Sequence, residues 1–266
     1  MKNRLVLVMS FLVFSFALVI SPEGGNEKIT VTILYDNTAF APETQPDWGY
    51  SCLIQGTEKT ILFDAGTKPD VFFRNVETLD VDLSDVEIVV ISHEHGDHTG
   101  ALPRFFEGKT NVSVYHPVSF TDEFVTSVKQ ANAMPVAVTQ PVEIVKDVYL
   151  TGEMGNKIRE QSLILKTGEG LVVITGCSHP GIVEILERVE EILDENIYMA
   201  FGGFHLLRHS DEEVSEIIGR FQQLGVKKCG AMHCTGDEQI DSFQEAYGEN
   251  FVPMGVGKVL SFESPR

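Results

Sequence analysis

Ser92-His93-Glu94-His95-Gly96-Asp97-His98-Thr99-Gly100 constrains this chain more than any other stretch. It follows Glu87-Ile88-Val89-Val90-Ile91, an apolar, β-branched run that reads as a buried strand. Three imidazoles and two carboxylates therefore crowd the C-terminal mouth of a core strand. Gathering so many titratable groups there costs desolvation and repulsion unless a cation compensates. Imidazole and carboxylate suit zinc and neighbouring transition metals. His93 and His95 can chelate one ion from a tight loop. Asp97 and His98 point to a second ion, roughly 3.5–4 Å away in two-metal sites. The helical zinc motif H-E-x-x-H fails, because Asp97 stands where its second histidine belongs. Gly96 argues against a helix and gives the backbone freedom to turn both ligand pairs inward.

A chain of 266 residues fits one large or two small domains, and 43% hydrophobic content excludes disorder as its main state. The net charge of −19 argues against a broad nucleic-acid footprint, which normally needs a basic face. An anionic substrate held locally by metal ions is compatible with it. Cys52, Cys177, Cys229 and Cys234 form no C-x-x-C pair and no disulfide-scaffold spacing.

Residues 1–27 stand apart. Lys2 and Arg4 precede the uncharged, mostly apolar run Leu5–Ile20, and Ser21-Pro22-Glu23-Gly24-Gly25 breaks it. This is the pattern of an export signal or an uncleaved N-terminal membrane anchor. The expected location is exported, periplasmic or extracellular, or membrane-tethered through residues 5–20. Any membrane contact is expected only through this segment.

From Lys28 the chain turns β-rich. Ile29–Leu34 reads as a strand, and Trp48–Gln55 pairs with Thr60–Phe63 across a hairpin. Val71–Leu79 reads as a helix, a second one starts at Ala101, and a helical or loop insertion lies near residues 118–132. Short strands are expected at Val112–Tyr115, Pro135–Val138 and Val142–Val145. Gln161–Lys166 and Gly170–Thr175 form the next hairpin, ending in Gly176-Cys177-Ser178-His179-Pro180. Pro180 suits the first turn of a helix, whose apolar face runs from Ile182 to Leu193. Ile197–Phe201 is a buried strand before a helix at Asp211–Leu224, and Lys228–Met232 is another before a helix at Gln239–Tyr247. Phe251–Phe262 closes the sheet. Histidines thus recur at 93–98, 179, 205 and 233, each just after a core strand. His179 reads as a ligand or as a helix-capping histidine, and Cys177 as a ligand or as a buried strand-end cysteine.

The run His93-x-His95-x-Asp97-His98 after a strand resembles the signature of the metallo-β-lactamase superfamily. That resemblance implies a four-layer αββα sandwich in a single α/β domain over residues 28–266, with one or two divalent ions, zinc foremost and manganese or iron next. It implies His93, His95 and His179 on one ion, and Asp97, His98 and His233 on the other. A water or hydroxide between the ions would be the nucleophile, oriented by Asp97. Asp64, in Asp64-Ala65-Gly66 at a strand end, would support the metal loop from behind; its plainer reading is a turn aspartate.

The chain departs from that signature in two places. The usual third-histidine motif is absent, with Thr151-Gly152-Glu153-Met154-Gly155 near its place. Gly176-Cys177 stands where a glycine and a bridging aspartate would be. Tyr35-Asp36-Asn37, Gly49-Tyr50-Ser51, Gly202-Gly203-Phe204-His205-Leu206 and Met232-His233-Cys234-Thr235-Gly236 resemble the branch named for the dihydropterin-methyl-(ribofuranosyl)aminobenzene phosphate synthase. That branch implies a transferase joining a pterin diphosphate to an arylamine ribotide, and makes His205 a substrate-site residue rather than a core histidine. The reading that weighs most is a metal-dependent hydrolase of a small ester or phosphoester. The transferase is the alternative, and a non-enzymatic metal-binding domain the third.

Overall fold

A strand covered on both faces needs apolar side chains at every position, and this chain supplies them in runs. The computed structural model describes residues 28–265. The expected leader, residues 1–27 with its apolar run at 5–20, lies outside the described residues. Among the described residues no helix is long and apolar enough to cross a membrane.

In chain order the elements are β1 (Lys28–Tyr35), β2 (Ser51–Gln55), β3 (Thr60–Phe63), α1 (Pro69–Thr78), β4 (Val86–Val90), α2 (Gly96–Thr99) and α3 (Leu102–Phe105). Then come β5 (Ser113–Pro117), α4 (Asp122–Gln130), β6 (Met134–Val138), β7 (Val142–Val145), β8 (Val148–Leu150), β9 (Leu163–Thr167) and β10 (Gly170–Thr175). The last are α5 (Ile182–Ile192), β11 (Ile197–Gly203), α6 (Asp211–Gln223), β12 (Lys228–Met232), α7 (Asp237–Tyr247) and β13 (Val259–Glu263). One sheet has the order β13-β1-β2-β3-β4-β5-β6, the other β12-β11-β10-β9-β8-β7.

Alternation along the strands sorts the core into three apolar layers. Ile61, Phe63, Ile88 and Val90 of the first sheet meet Val172 and Ile174 of the second between the sheets. The alternate residues Leu62, Val89 and Ile91 face Phe72, Leu102, Phe105 and Phe124. On the opposite outer face, Leu171 and Val173 pack with Ile185, Leu186, Phe221 and Phe243. Three apolar layers make four structural ones: helices, sheet, sheet, helices. The αββα sandwich follows, as one domain over most of the chain.

Chain direction then decides where chemistry can gather. β3 runs parallel to β4, and β10, β11 and β12 run parallel to one another. The segments after β3, β4, β10, β11 and β12 therefore emerge at strand C-termini, where open α/β sheets place their ligands.

Several expected boundaries move, each for a local reason. The strand expected over Trp48–Gln55 begins only at Ser51, because residues 48–50 turn toward the metal loop and Tyr50 N donates to the Asp97 carbonyl. Gly96 does not block helix: Gly96–Thr99 forms one helical turn behind His95. A side chain at 96 would meet nothing within 4 Å, so no glycine is required there. The helix after residue 101 is a single turn, and α5 starts at Ile182, leaving Pro180 outside it. β8 was not expected. Of Phe251–Phe262 only Val259–Glu263 forms a strand, antiparallel to β1. Before it, Gly255 and Gly257 adopt positive φ where a side chain would strike Thr38 O and Ala41 Cβ.

Candidate metal centre

The strand ends bring His93, His95 and His179 together, with one ligand atom from each within 4.8 Å of the others. Asp97, His98 and His233 form a second such set, and Cys177 joins it. Cys177 Sγ lies 3.3 Å from His98 Nε2. Asp97 Oδ2 lies 3.7 Å from His98 Nε2 and 3.6 Å from His233 Nε2. The His93 and His98 ring centroids are 4.1 Å apart, so the two sets adjoin. His93, His98 and His233 are buried, whereas His95 is exposed. His205 is exposed too, and its ring lies 4.5 Å from that of His179.

What holds His93, His98, His179 and His233 is a row of oxygen atoms on their Nδ1 side, whereas His95 Nδ1 lies 3.0 Å from His93 Nε2. His98 Nδ1 lies 2.6 Å from Asp64 Oδ2, His179 Nδ1 lies 2.9 Å from Glu160 Oε2, and His233 Nδ1 lies 3.2 Å from Asn37 Oδ1. Ser92 Oγ donates to Asp64 Oδ2 at 2.7 Å, leaving its lone pairs to accept from His93 Nδ1 at 2.9 Å. Each oxygen contact fixes the tautomer with Nδ1 protonated and aims the Nε2 lone pair inward. Asp64 also accepts from Ser92 N, so it braces the loop through backbone as well. Gly176 is required here, since a Cβ would lie 2.1 Å from Ser92 Oγ.

Glu160 is the largest support that sequence reading missed. It is fully buried, and its two oxygens accept from the backbone N–H groups of Cys177, Ser178 and His179 at 2.8, 2.8 and 2.9 Å. Burial opposes its ionisation, yet the His179 ring and these N–H groups outweigh burial and hold it below the usual carboxylate range. Asp36, Asn37, Trp48 and Cys234 were also assigned no role. Asp36 accepts from His233 N, and burial lifts it to about 7. Trp48, 48% exposed, donates its indole N–H to Asp97 Oδ2 at 2.8 Å and lies against the His233 ring. Trp48→Phe keeps the ring but removes this donor. It is expected to weaken divalent-metal binding about tenfold, measured by competition with a chromophoric chelator. Unchanged affinity would show that the indole does not set the carboxylate.

The residues fit a divalent cation. His233 Nε2 is buried without a hydrogen-bond partner, which costs about 1–3 kcal/mol unless something occupies it. Burial and the neighbouring imidazoles push His93 and His233 well below the usual histidine range, toward the neutral form that ligates metal. At His98, burial lowers the value but Asp64 more than offsets it. Burial raises the Cys234 thiol, while Cys177 and His205 outweigh it and draw it to about 6.

The model of the family described as the metallo-beta-lactamase superfamily matches residues 46–193. The chain belongs to this superfamily. It is 26% identical over 291 residues to the 7,8-dihydropterin-6-methyl-4-(beta-D-ribofuranosyl)-aminobenzene-5'-phosphate synthase of Methanocaldococcus jannaschii, covering 90% of this chain and 98% of that one. It is similar to the crystal structure of Tm1679, a metal-dependent hydrolase of the beta-lactamase superfamily, with 29% identity, a TM-score of 0.75, and coverage of 89% and 100%. YhfI from Bacillus subtilis shares the fold at 15% identity and a TM-score of 0.67, covering 88% of this chain and 99% of its own. In this member of the superfamily, residues 151–155 reach neither ligand set among the described residues; Glu153 there accepts from Ser119 N. His179 brings the third imidazole instead.

Proposed function

We propose that this chain is a metal-dependent hydrolase of a small ester or phosphoester. The observation that carries the reading is the set of three imidazoles, His93, His95 and His179, whose His95 edge is open to solvent. Three protein ligands with an open side are the pattern of catalytic rather than structural metal sites. A bound divalent ion, zinc foremost and manganese or iron next, would supply Lewis acidity and lower the pKa of water toward about 7. His93, His95 and His179 would hold one ion, and Asp97, His98, Cys177 and His233 a second. Asp97, held in place by the Trp48 indole, would orient an attacking water and accept its proton. His205, exposed beside His179, would meet the substrate. With a chain charge of −19, an anionic substrate would depend on the bound cations. Lys2, Arg4 and the uncharged run 5–20 support an exported or membrane-tethered location, and the net charge of −19 argues against a nucleic-acid partner.

A second reading rests on the Methanocaldococcus jannaschii relative, which is named as a synthase. On that reading this chain joins a dihydropterin diphosphate to a ribofuranosylaminobenzene phosphate and releases diphosphate. Zinc- or manganese-loaded protein assayed against carboxylic and phosphoric ester panels and against the pterin pair separates the two. Ester turnover is expected, with kcat/KM in Asp97→Ala at least about 100-fold lower. Diphosphate release that requires both pterin partners, without ester turnover, would overturn the hydrolase in favour of the transferase.

A further inference from the structure

Cys234 belongs to neither ligand set above. Its Sγ, the Cys177 Sγ and a ring nitrogen of His205 nevertheless lie within 4.8 Å of one another. The segments after β10, β11 and β12 deliver one residue each, so this grouping is built by topology and not by a local sequence motif.

The four cysteines divide cleanly. Cys52 packs in the apolar layer between the sheets and Cys229 in the layer under the last helices. Neither falls in a metal-capable grouping of the described residues. Cys177 and Cys234 belong to no apolar cluster, and their neighbours are polar: Cys177 Sγ reaches His98 Nε2, and Cys234 Sγ lies 3.6 Å from the Cys177 carbonyl. Backbone closes the pocket on the β11 side. A Cβ at Gly203 would lie 2.7 Å from Cys234 Sγ and 2.5 Å from Gly176 O. Both thiols are buried, while His205 is exposed at the mouth. The grouping thus has two soft donors inside and one imidazole at the solvent side.

We propose that Cys177, His205 and Cys234 form a third metal position, which takes a thiophilic divalent ion such as zinc or cadmium in preference to manganese or magnesium. Thiolates select such ions over those that favour oxygen ligands. Two thiols and an imidazole leave a fourth tetrahedral position toward solvent at the His205 side. Loading it takes two thiolates and a neutral imidazole, so the protons still held by Cys177 and by the His205–Cys234 pair pass to water and the two thiolates balance the dication. Cys177 is shared, so its sulfur bridges this position and the Asp97–His98–His233 set. The His205 ring lies 4.5 Å from that of His179, so this position also borders the imidazole set.

The inference rests on the metal-centre reading, and cadmium titration distinguishes their failures. Reduced, metal-free protein is titrated with cadmium, with bound metal measured after dialysis and thiolate-to-cadmium charge-transfer absorbance followed in the ultraviolet. Cys234→Ser and His205→Ala are each expected to lose one equivalent of cadmium, and Cys234→Ser most of the charge-transfer band. His95→Ala is expected to keep the band while losing metal from the imidazole set. His205 is exposed, so its alanine variant tests the ligand without disturbing the core. Wild-type stoichiometry in both Cys234→Ser and His205→Ala, with metal still lost in His95→Ala, overturns the third position alone. A wild-type protein that binds no cadmium overturns both.

Discussion

Glu160→Ala is expected to lower the stability of the metal-free protein by about 3–5 kcal/mol, the cost of leaving three buried N–H groups without an acceptor after partial rehydration. The carboxylate is fully buried and ties Cys177, Ser178 and His179 to one point. Its folded pKa lies below the usual carboxylate range, so its contribution is complete above the unfolded value, about 4.3. It is lost as pH falls through the folded value. The deficit of the variant should therefore be full at neutral pH and shrink in acid. Denaturant unfolding at several pH values measures it. A difference under about 1 kcal/mol at neutral pH would mean that water replaces the carboxylate without penalty. Metal affinity at the three-imidazole set should also fall about 10–100-fold, because His179 loses the acceptor on its Nδ1.

Asp64→Ala is the second large effect. Asp64 is fully buried at the end of β3, where its carboxylate meets His98 Nδ1, Ser92 N and Ser92 Oγ. Removing it leaves His98 without its partner and frees the Ser92 hydroxyl that positions His93. A stability loss of about 3–5 kcal/mol is expected, the usual cost of breaking a buried pair from one side. Both ligand sets depend on this carboxylate, so metal affinity should fall at both, about 10–100-fold. Wild-type affinity at either set, measured by chelator competition, would show that His93 or His98 is oriented by packing alone.

The two supports differ in how much of each could be read from the chain. Asp64 sits in a recognisable strand ending, Phe63-Asp64-Ala65-Gly66, and the superfamily resemblance implies its place behind the metal loop. Glu160 sits in an irregular stretch between β8 and β9, where no periodicity marks it. Its role comes from tertiary proximity to residues 177–179. Asn37 supports a histidine 196 residues away, and Trp48 an aspartate 49 residues away. Such pairings leave no local trace. The central strands were legible because both faces are buried and their positions are apolar, as in Ile88-Val89-Val90-Ile91. Their ends were less so, because contacts with other loops decide them, as where the Asp97 carbonyl meets Tyr50 N. Gly96 misled for a related reason: its conformation lies in the ordinary helical region, and its small size leaves open space. The recurrence of histidines after core strands was the most informative pattern, since parallel strands bring those ends to one rim.

Anomalous diffraction at the zinc absorption edge, from crystals of the zinc-loaded protein, tests the convergence of these loops on a metal most directly. The account predicts one peak enclosed by His93, His95 and His179, another among Asp97, His98, Cys177 and His233, and a third beside Cys177, His205 and Cys234. Crystals that hold zinc only at the surface, with these groups of side chains closed on themselves, would contradict it.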